Sequence, residues 1–252
     1  MNEYLKNVEK IEFAVTFACT GRCKHCSEGS HVGCSERIDP TVAADAVRSI
    51  ASEYSIKTVM VFGGEPLLHM EAIEQIMRAA LDMGVPRRQV ITNGFPSISL
   101  SSLPAVAERI AACGVNDLLL SVDAFHQETI PLDAVREFAR SLLACGVPVR
   151  LSPAWLVSRE DGNPYNEETR RILAALSDLN IPLGEGNVIF PEGNALKHLA
   201  EYFEGGAPEN PYVQDPRDMR CVSVSPNGDL LNGNLYSASA ADILDGYSPE
   251  GI

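Results

Sequence analysis

The sequence predicts an α/β fold in which a parallel sheet forms an open or partial barrel, a (β/α)6 arrangement with a small C-terminal hairpin extension. Two observations carry this prediction. Segments with helical apolar spacing alternate with short apolar runs, and such alternation implies parallel strands joined by right-handed crossovers. In addition, Ala80-Leu-Asp-Met-Gly-Val85, Ala111-Ala-Cys-Gly-Val115 and Leu143-Ala-Cys-Gly-Val147 stand at the same point of successive units. In each, a glycine closes a helix and the chain returns to the sheet. Six strands are too few for a closed eight-unit barrel, and in either form a ligand is expected at the carboxyl ends of the strands.

The elements follow in order. Ile11 to Phe17 is an apolar, strand-like run. Asp39-Pro40 reads as an N-cap followed by proline at the first helical position. Ala43, Ala46, Val47, Ile50 and Ala51 then form a helical stripe. Strand Thr58–Phe62 follows, then a helix from about His69 to Met83 with Ile73, Ile76, Met77, Ala80 and Leu81 on one face, and strand Gln89–Thr92. A third helix starts near Ser102 (Leu103, Val106, Ala107, Ile110, Ala111) and leads to strand Leu118–Ser121. A fourth starts near Pro131 (Val135, Phe138, Ala139, Leu142, Leu143) and leads to Val149–Leu151. A fifth, capped near Asn166, runs to about Leu179 before strand Asn187–Phe190. Beyond Pro191, glycines and prolines break the pattern. One hairpin is expected there, Cys221–Val224 and Asp229–Leu231 around Ser225-Pro-Asn-Gly228, with a short helix at Ala241–Leu244. The expected division is residues 1–195 and 196–252.

The chain of 252 residues carries 34 acidic and 20 basic residues, a formal net charge of −14. This balance disfavours a phosphate-backbone partner, so nucleic acid is not expected to be bound. No run of about 18 apolar residues marks a membrane span. Met1 to Lys6 lack a basic-then-apolar leader pattern, and a cytoplasmic address is expected. Four of the seven cysteines fall between Cys19 and Cys34. Such clustering points to metal or redox chemistry rather than a disulfide framework.

The cluster opens with Cys19-Thr-Gly-Arg-Cys23-Lys-His-Cys26, a C-x3-C-x2-C spacing directly after the first strand. Three thiolates on one loop can converge on a soft metal centre, and three rather than four would leave one iron of a [4Fe–4S] cluster open. The rival reading is zinc, with Cys23, Cys26, His31 and Cys34 as a four-ligand set. The ends of the other expected strands are also polar or glycine-rich. They carry Gly63-Gly64-Glu65-Pro66, then Thr92-Asn93-Gly94, then Ser121-Val122-Asp123 with Phe125-His126-Gln127, then Arg150 and Ser152, and finally Pro191 to Asn194.

From residue 11 to 194 this order of features resembles the radical S-adenosylmethionine (radical SAM) family, on the C-x3-C-x2-C motif, the GGEP motif after strand two and the strand plan. The resemblance implies that Cys19, Cys23 and Cys26 hold a [4Fe–4S] cluster whose open iron binds S-adenosylmethionine. Reductive cleavage then gives a 5′-deoxyadenosyl radical that takes a hydrogen atom from the substrate. It also implies a cofactor-binding set. Gly63, Gly64, Glu65 and Pro66 lie toward the methionine group, with Asn93 at the next strand end. Ser121, Asp123, Arg150 and Ser152 lie toward ribose or carboxylate, and Ile189 within the stretch where adenine packs. A flavodoxin- or ferredoxin-type electron donor is the implied partner. The Cys221 hairpin is similar to the start of the SPASM or twitch extension of peptide-modifying members. It departs from that pattern where Asn232-Gly-Asn234 stands in place of a further cysteine. Peptide modification is the expected reaction class, and a small molecule such as a nucleotide or cofactor precursor the alternative substrate. A non-catalytic zinc or iron–sulfur protein is the reading from a different class. Cys113 and Cys145 read as small core residues, Cys34 as a free thiol, His126 as a structural or substrate-facing histidine and Trp155 as a packing or cavity-lining residue.

Overall fold

The computed structural model describes residues 2–96 and 99–249. Five strands, β1 (Lys10–Ala14), β2 (Thr58–Phe62), β3 (Arg87–Thr92), β4 (Asp117–Ser121) and β5 (Val149–Ser152), lie side by side in chain order and are all parallel. Helices α1 (Pro40–Glu53), α2 (Met70–Asp82) and α3 (Leu103–Ala112) form the crossovers between them, followed by a short α4 (Ala124–Gln127) and by α5 (Leu132–Ala144). The sheet is not closed, as a partial barrel requires.

Strand periodicity separates the two faces. Ile11, Phe13, Val59, Val61, Val90, Leu118, Leu120, Val149 and Leu151 join the helix stripes in one buried core. The opposite, inner face carries Lys10, Glu12, Gln89, Asp117 and Arg150. Asp39 caps α1 by accepting from the Thr41 and Val42 N–H groups at 2.8 and 3.1 Å. The expected stripes are buried except at their margins. Leu81 is 47% and Leu143 41% exposed, because each sits at the solvent edge of its helix, one position beyond a buried neighbour.

Two parts of the expected plan are corrected. The expected sixth strand is broken. Only Asn187–Val188 (β7) is extended, and it pairs with a two-residue strand, β6 (Ala154–Trp155), outside the main sheet. The chain ahead of it touches β5 through a single bridge, Leu151 to Leu183. Pro153 has no N–H to continue the β5 ladder, and Gly186, at φ +75°, presses against the Pro153 carbonyl. The fifth helix, α6 (Pro164–Ala175), is capped by Asn163 rather than Asn166. Asn166 is fully buried inside it and bonds the main chain of Leu156, Ser158 and Asp161.

The C-terminal hairpin forms from β8 (Cys221–Val224) and β9 (Asp229–Leu230), followed by β10 (Gly233–Asn234). β8 enters the main sheet parallel to β1, on the flank opposite β2. A short α7 (Gly193–His198) precedes the hairpin, and α8 (Ala240–Asp245) ends the chain. Among the described residues no helix is long and apolar enough to cross a membrane.

The margin of the α5 stripe is testable. Phe138→Ala should cost about 3–5 kcal/mol of unfolding free energy through a core cavity. Leu143→Ala should cost under about 1 kcal/mol. Urea unfolding of the two variants checks the difference, and equal losses would contradict the burial pattern.

Candidate active site

The chain between β1 and α1 leaves the sheet and returns to the point it left. Thr16 bridges Arg37, Phe17 donates to the Glu36 carbonyl at 3.1 Å, and Ile38 donates to the Val15 carbonyl at 3.1 Å. The excursion so pinned contains Cys19, Cys23 and Cys26. Its entry rests on the end of β2. Gly64 N–H donates to Thr16 O and Glu65 N–H to Ala18 O, both at 2.8 Å. A Cβ on Gly64 would lie 2.2 Å from Ala18 O, and one on Gly63 2.6 Å from Thr16 O. The absence of side chains at these two glycines is therefore used by the chain itself, to admit the main chain that leads into the cysteine loop.

Glu65 turns into the protein and is fully buried. Its carboxylate accepts from Thr92 Oγ1 at 2.6 Å, Asn93 N at 2.8 Å and Leu67 N at 2.9 Å. Burial pushes the carboxyl up to about 7, against the pull of those three donors. Pro66 starts the turn Pro66–His69 that Glu65 caps. Asn93, held by Glu65, donates from Nδ2 to Thr20 Oγ1 at 3.1 Å and approaches Cys19 Sγ at 3.9 Å. The end of β2 thus fixes the end of β3 and the first cysteine together.

The other side of the loop is apolar. Cys23 packs in a small separate cluster with Phe125, Ala154, Leu156, Ile189, Ala195 and Leu199, and Cys26 borders it. Asp123, fully buried, caps α4. It accepts from the Phe125 and His126 N–H groups at 3.0 Å, from Ala154 N at 2.9 Å and from His126 Nδ1 at 2.8 Å. Burial would raise this carboxyl, but the His126 ring and these N–H groups outweigh it and hold it well below the usual range. The His126 ring lies 4.9 Å from that of His25, which also packs on Phe125 at 5.0 Å. His25 Nδ1 and Gln127 Nε2 are buried and have no hydrogen-bond partner among the described residues.

The remaining expected site residues are placed as follows. Ser121 and Ser152 face each other in register at the ends of β4 and β5. Arg150 lies two residues lower on the inner face, and its guanidinium holds Asp117 through Nε at 3.0 Å and Nη2 at 2.8 Å. Gln89 Nε2 donates to the same carboxylate at 2.6 Å. Ile189 is in the apolar cluster beside Cys23. Trp155 is buried, with Nε1 bonded to Glu185 O at 3.1 Å and the guanidinium groups of Arg159 and Arg170 over its ring. Two contributors are not singled out from sequence, His25 and Asp117. For His25 the available signal was its place between two clustered cysteines. Asp117 becomes visible only once the register of β3, β4 and β5 is set.

The donor set fits a multi-iron centre better than a single zinc. Burial pushes Cys19 up to about 12, against a Gly21 N–H bond, and the charges of Glu65 and Cys26 add to it. Burial raises Cys23 and Cys26 as well, and Cys23 also feels Asp123 and both other thiols. With Cys23 buried and Cys19 and Cys26 half-buried, the three thiols ionise together beside a compensating cationic centre, which ligation of either metal supplies. In the zinc set, Cys26 Sγ and His31 Nε2 are 3.3 Å apart, but Cys34 instead approaches Ser30 O at 3.8 Å. A tetrahedral zinc with Zn–S of about 2.3 Å holds its sulfurs about 3.8 Å apart. Among the described residues, the group whose donor atoms all lie within 4.8 Å of one another is Cys23, His25 and His126. At that spacing neither the four zinc candidates nor the three cysteines are assembled; a single zinc needs the closer spacing, whereas cluster thiolates each bind a separate iron.

Comparisons with known proteins bear on the family and the fold. The family model of the Radical SAM superfamily matches residues 13–203. A probable GTP 3′,8-cyclase of Saccharolobus solfataricus is 25% identical over 225 residues, covering 81% of this chain and 67% of that protein. A probable GTP 3′,8-cyclase of Methanocaldococcus jannaschii is 23% identical over 127 residues, covering 50% of this chain and 40% of that protein. Among solved structures, Streptococcus suis SuiB bound to S-adenosylmethionine superimposes with a TM-score of 0.63 at 11% identity, covering 94% of this chain and 65% of that one. Native anSMEcpe with bound AdoMet gives 0.56 at 13% identity, covering 92% and 75%. These two likenesses are of fold.

Glu65 supplies a test of the site's internal scaffold. A carboxyl raised from 4.5 to about 7 on folding keeps its proton longer in the folded than in the unfolded chain. Its contribution to stability is therefore full below about pH 4.5 and is lost as pH rises through about 7. Glu65→Gln removes that slope. The stability of the natural chain relative to the variant should fall between these pH values. Urea unfolding of the cluster-free chains across this range checks the sign, and a difference that grows with pH would contradict it.

Proposed function

The chain belongs to the radical SAM superfamily, and from that membership we propose that it abstracts a hydrogen atom from a small polar substrate held over the inner face of the partial barrel. It is a radical SAM enzyme that uses a [4Fe–4S] cluster and S-adenosylmethionine. When bound, these cofactors supply the one-electron cleavage that yields a 5′-deoxyadenosyl radical. Cys19, Cys23 and Cys26 would hold the cluster. The observation that carries the reading is the pinned three-cysteine loop at the carboxyl ends of the strands, stitched to Gly63-Gly64 and Asn93 on one side and packed against Phe125 and Ile189 on the other.

The chain's own residues do the orienting. Gly63 to Pro66, with Asn93, Ser121, Asp123, Ser152 and Ile189, are proposed to form the S-adenosylmethionine surroundings. Asp123 and Glu65 act there through the groups they hold, since their carboxylates are spent on the chain. Arg150, bound to Asp117 on the inner face, is assigned to the substrate side. The apolar cluster around Cys23 keeps water from the reacting atoms. A flavodoxin- or ferredoxin-type protein is the proposed electron donor.

The small-molecule reading draws on the polar inner face (Gln89, Asp117, Arg150, Lys10, Glu12) and on relatives whose names specify a nucleotide substrate. A second reading, peptide modification, is favoured by the sequence of the Cys221 hairpin and by the unclosed sheet, which leaves room for an extended chain. Anaerobic incubation with reductant, S-adenosylmethionine and either nucleotides or short peptides separates them. Deuterium transfer from a labelled nucleotide into 5′-deoxyadenosine supports the first reading, and transfer from peptide alone replaces it with the second.

The enzyme assignment carries its own expectation. Cys19→Ala should abolish 5′-deoxyadenosine formation, with iron falling from about four per chain. Cys113→Ala should retain it, since Cys113 is buried in the main core away from the loop. Equal loss in both variants would overturn the ligand assignment.

A further inference from the structure

The cysteine loop is gripped from a third side, by residues just beyond the apparent end of the barrel. The main-chain N–H of Asn194 donates to Cys26 O at 2.8 Å. Its side-chain Nδ2 donates to Cys23 O at 3.2 Å and to Gly29 O at 3.1 Å. One residue therefore takes three carbonyls of the loop, two of them from cysteines. The preceding Gly193 has φ +53°, and a Cβ there would lie 2.2 Å from Ser27 O and 2.6 Å from Cys26 O. The two observations are independent. One is a set of hydrogen bonds, the other a close main-chain approach that only glycine allows. The following Ala195 and Leu199 pack into the apolar cluster that holds Cys23.

We propose that Gly193-Asn194 sets the shape of the three-cysteine loop, with Asn194 as a positioning residue for the cluster ligands. This rests on the functional reading above. Asn194 draws the carbonyl oxygens of Cys23, Cys26 and Gly29 toward itself, which turns the negative ends of these dipoles onto its N–H groups. Two of these carbonyls also accept from the loop itself, Cys23 O from Cys26 N–H at 3.3 Å and Cys26 O from Gly29 N–H at 3.2 Å, so Asn194 ties those turns down from outside, while Gly21 N–H donates to Cys19 Sγ at 3.3 Å. Fixing the main chain at Cys23 and Cys26 also fixes where their side chains start. Partners of this kind, one step removed from the metal, orient ligands and tune the centre they hold.

The test uses the full chain reconstituted anaerobically with iron and sulfide. The variants are Asn194→Ala and Asn194→Asp, the latter of similar size but with a carboxylate facing the three carbonyls. Asn210→Ala is the control, since among the described residues Asn210 bonds Glu192 Oε1 and its own turn in the same segment. Both Asn194 variants should lose iron to a chelator roughly tenfold faster than the natural chain. They should also shift the midpoint potential and the electron paramagnetic resonance line shape of the reduced cluster, while Asn210→Ala matches the natural chain. Unchanged release, potential and line shape in both Asn194 variants would overturn the inference. Hydrogen exchange on the natural chain gives an answer that needs no variant. Loading should protect 192–199 together with 19–29, and protection confined to 19–29 would overturn the inference. A natural chain that takes up no iron removes the functional reading and this inference with it. A natural chain that loads, with variants that match it, removes this inference alone.

Discussion

The site depends on one close approach, the end of β2 against the main chain that leads into the cysteine loop. Gly63 and Gly64 meet residues 16–18 at distances that exclude a Cβ, and the hydrogen bonds from Gly64 and Glu65 fix that contact. Everything at the rim follows from it. With the main chain of Glu65 anchored to Ala18, its carboxylate is directed inward to Thr92 and Asn93. Asn93 in turn reaches Thr20 and Cys19. A buried carboxylate is costly unless its oxygens are occupied by donors, and here those donors come from the next strand end. The cost of burying Glu65 is thereby offset in part, by a link that registers β2, β3 and the first cysteine against one another.

The loop's second half is secured by a different physical means. Where Cys19 is held by a polar network, Cys23 and Cys26 are seated in apolar surroundings assembled from α4, β6, the stretch around Ile189, and α7. These elements are far apart in sequence, and Asp123 is what joins two of them. Its carboxylate binds the first turn of α4 and the N–H of Ala154 in β6. Asp123 is thus both a helix cap and a cross-link, and His126 is oriented as a consequence. Its effect on chemistry at the rim passes through that imidazole, because no part of the carboxylate is exposed.

Sequence reading recovered the elements that local rules dictate. Asp39-Pro40 caps α1 as expected, β2 has the expected bounds, and the recurring Gly-Val phrases do mark the turns back to the sheet. It failed where a long-range contact overrides local preference. Asn187 to Phe190 is apolar enough to be a strand, yet Pro153 and Gly186, well separated in sequence, break the ladder it would join. Asn166 has the chemistry of a cap, but three loop carbonyls and the Leu156 N–H draw it into the interior instead. The cysteine spacing was legible because one short loop carries it. The reason for the glycine pair was not: spacing places Gly63-Gly64 at the rim, but that their missing side chains make room for Thr16 to Ala18 is a fact of tertiary packing. Asp117 lay at the start of a strand and gave no signal until the register brought Gln89 and Arg150 to it.

The charges of the inner face bear on what can sit there. Two cations, Lys10 and Arg150, point into the partial barrel, and each is already matched, by Glu12 and Asp117 respectively. Arg87 also reaches Asp117, at 3.2 Å. Three cations thus meet two carboxylates, and the face offers many directed hydrogen-bonding groups with one surplus positive charge, within a chain whose overall charge is −14. A substrate rich in hydroxyl, amide or ring-nitrogen groups meets partners without disturbing these pairs. A polyphosphate would have to compete with Asp117 for Arg150 and with Glu12 for Lys10, leaving a displaced carboxylate that needs new donors.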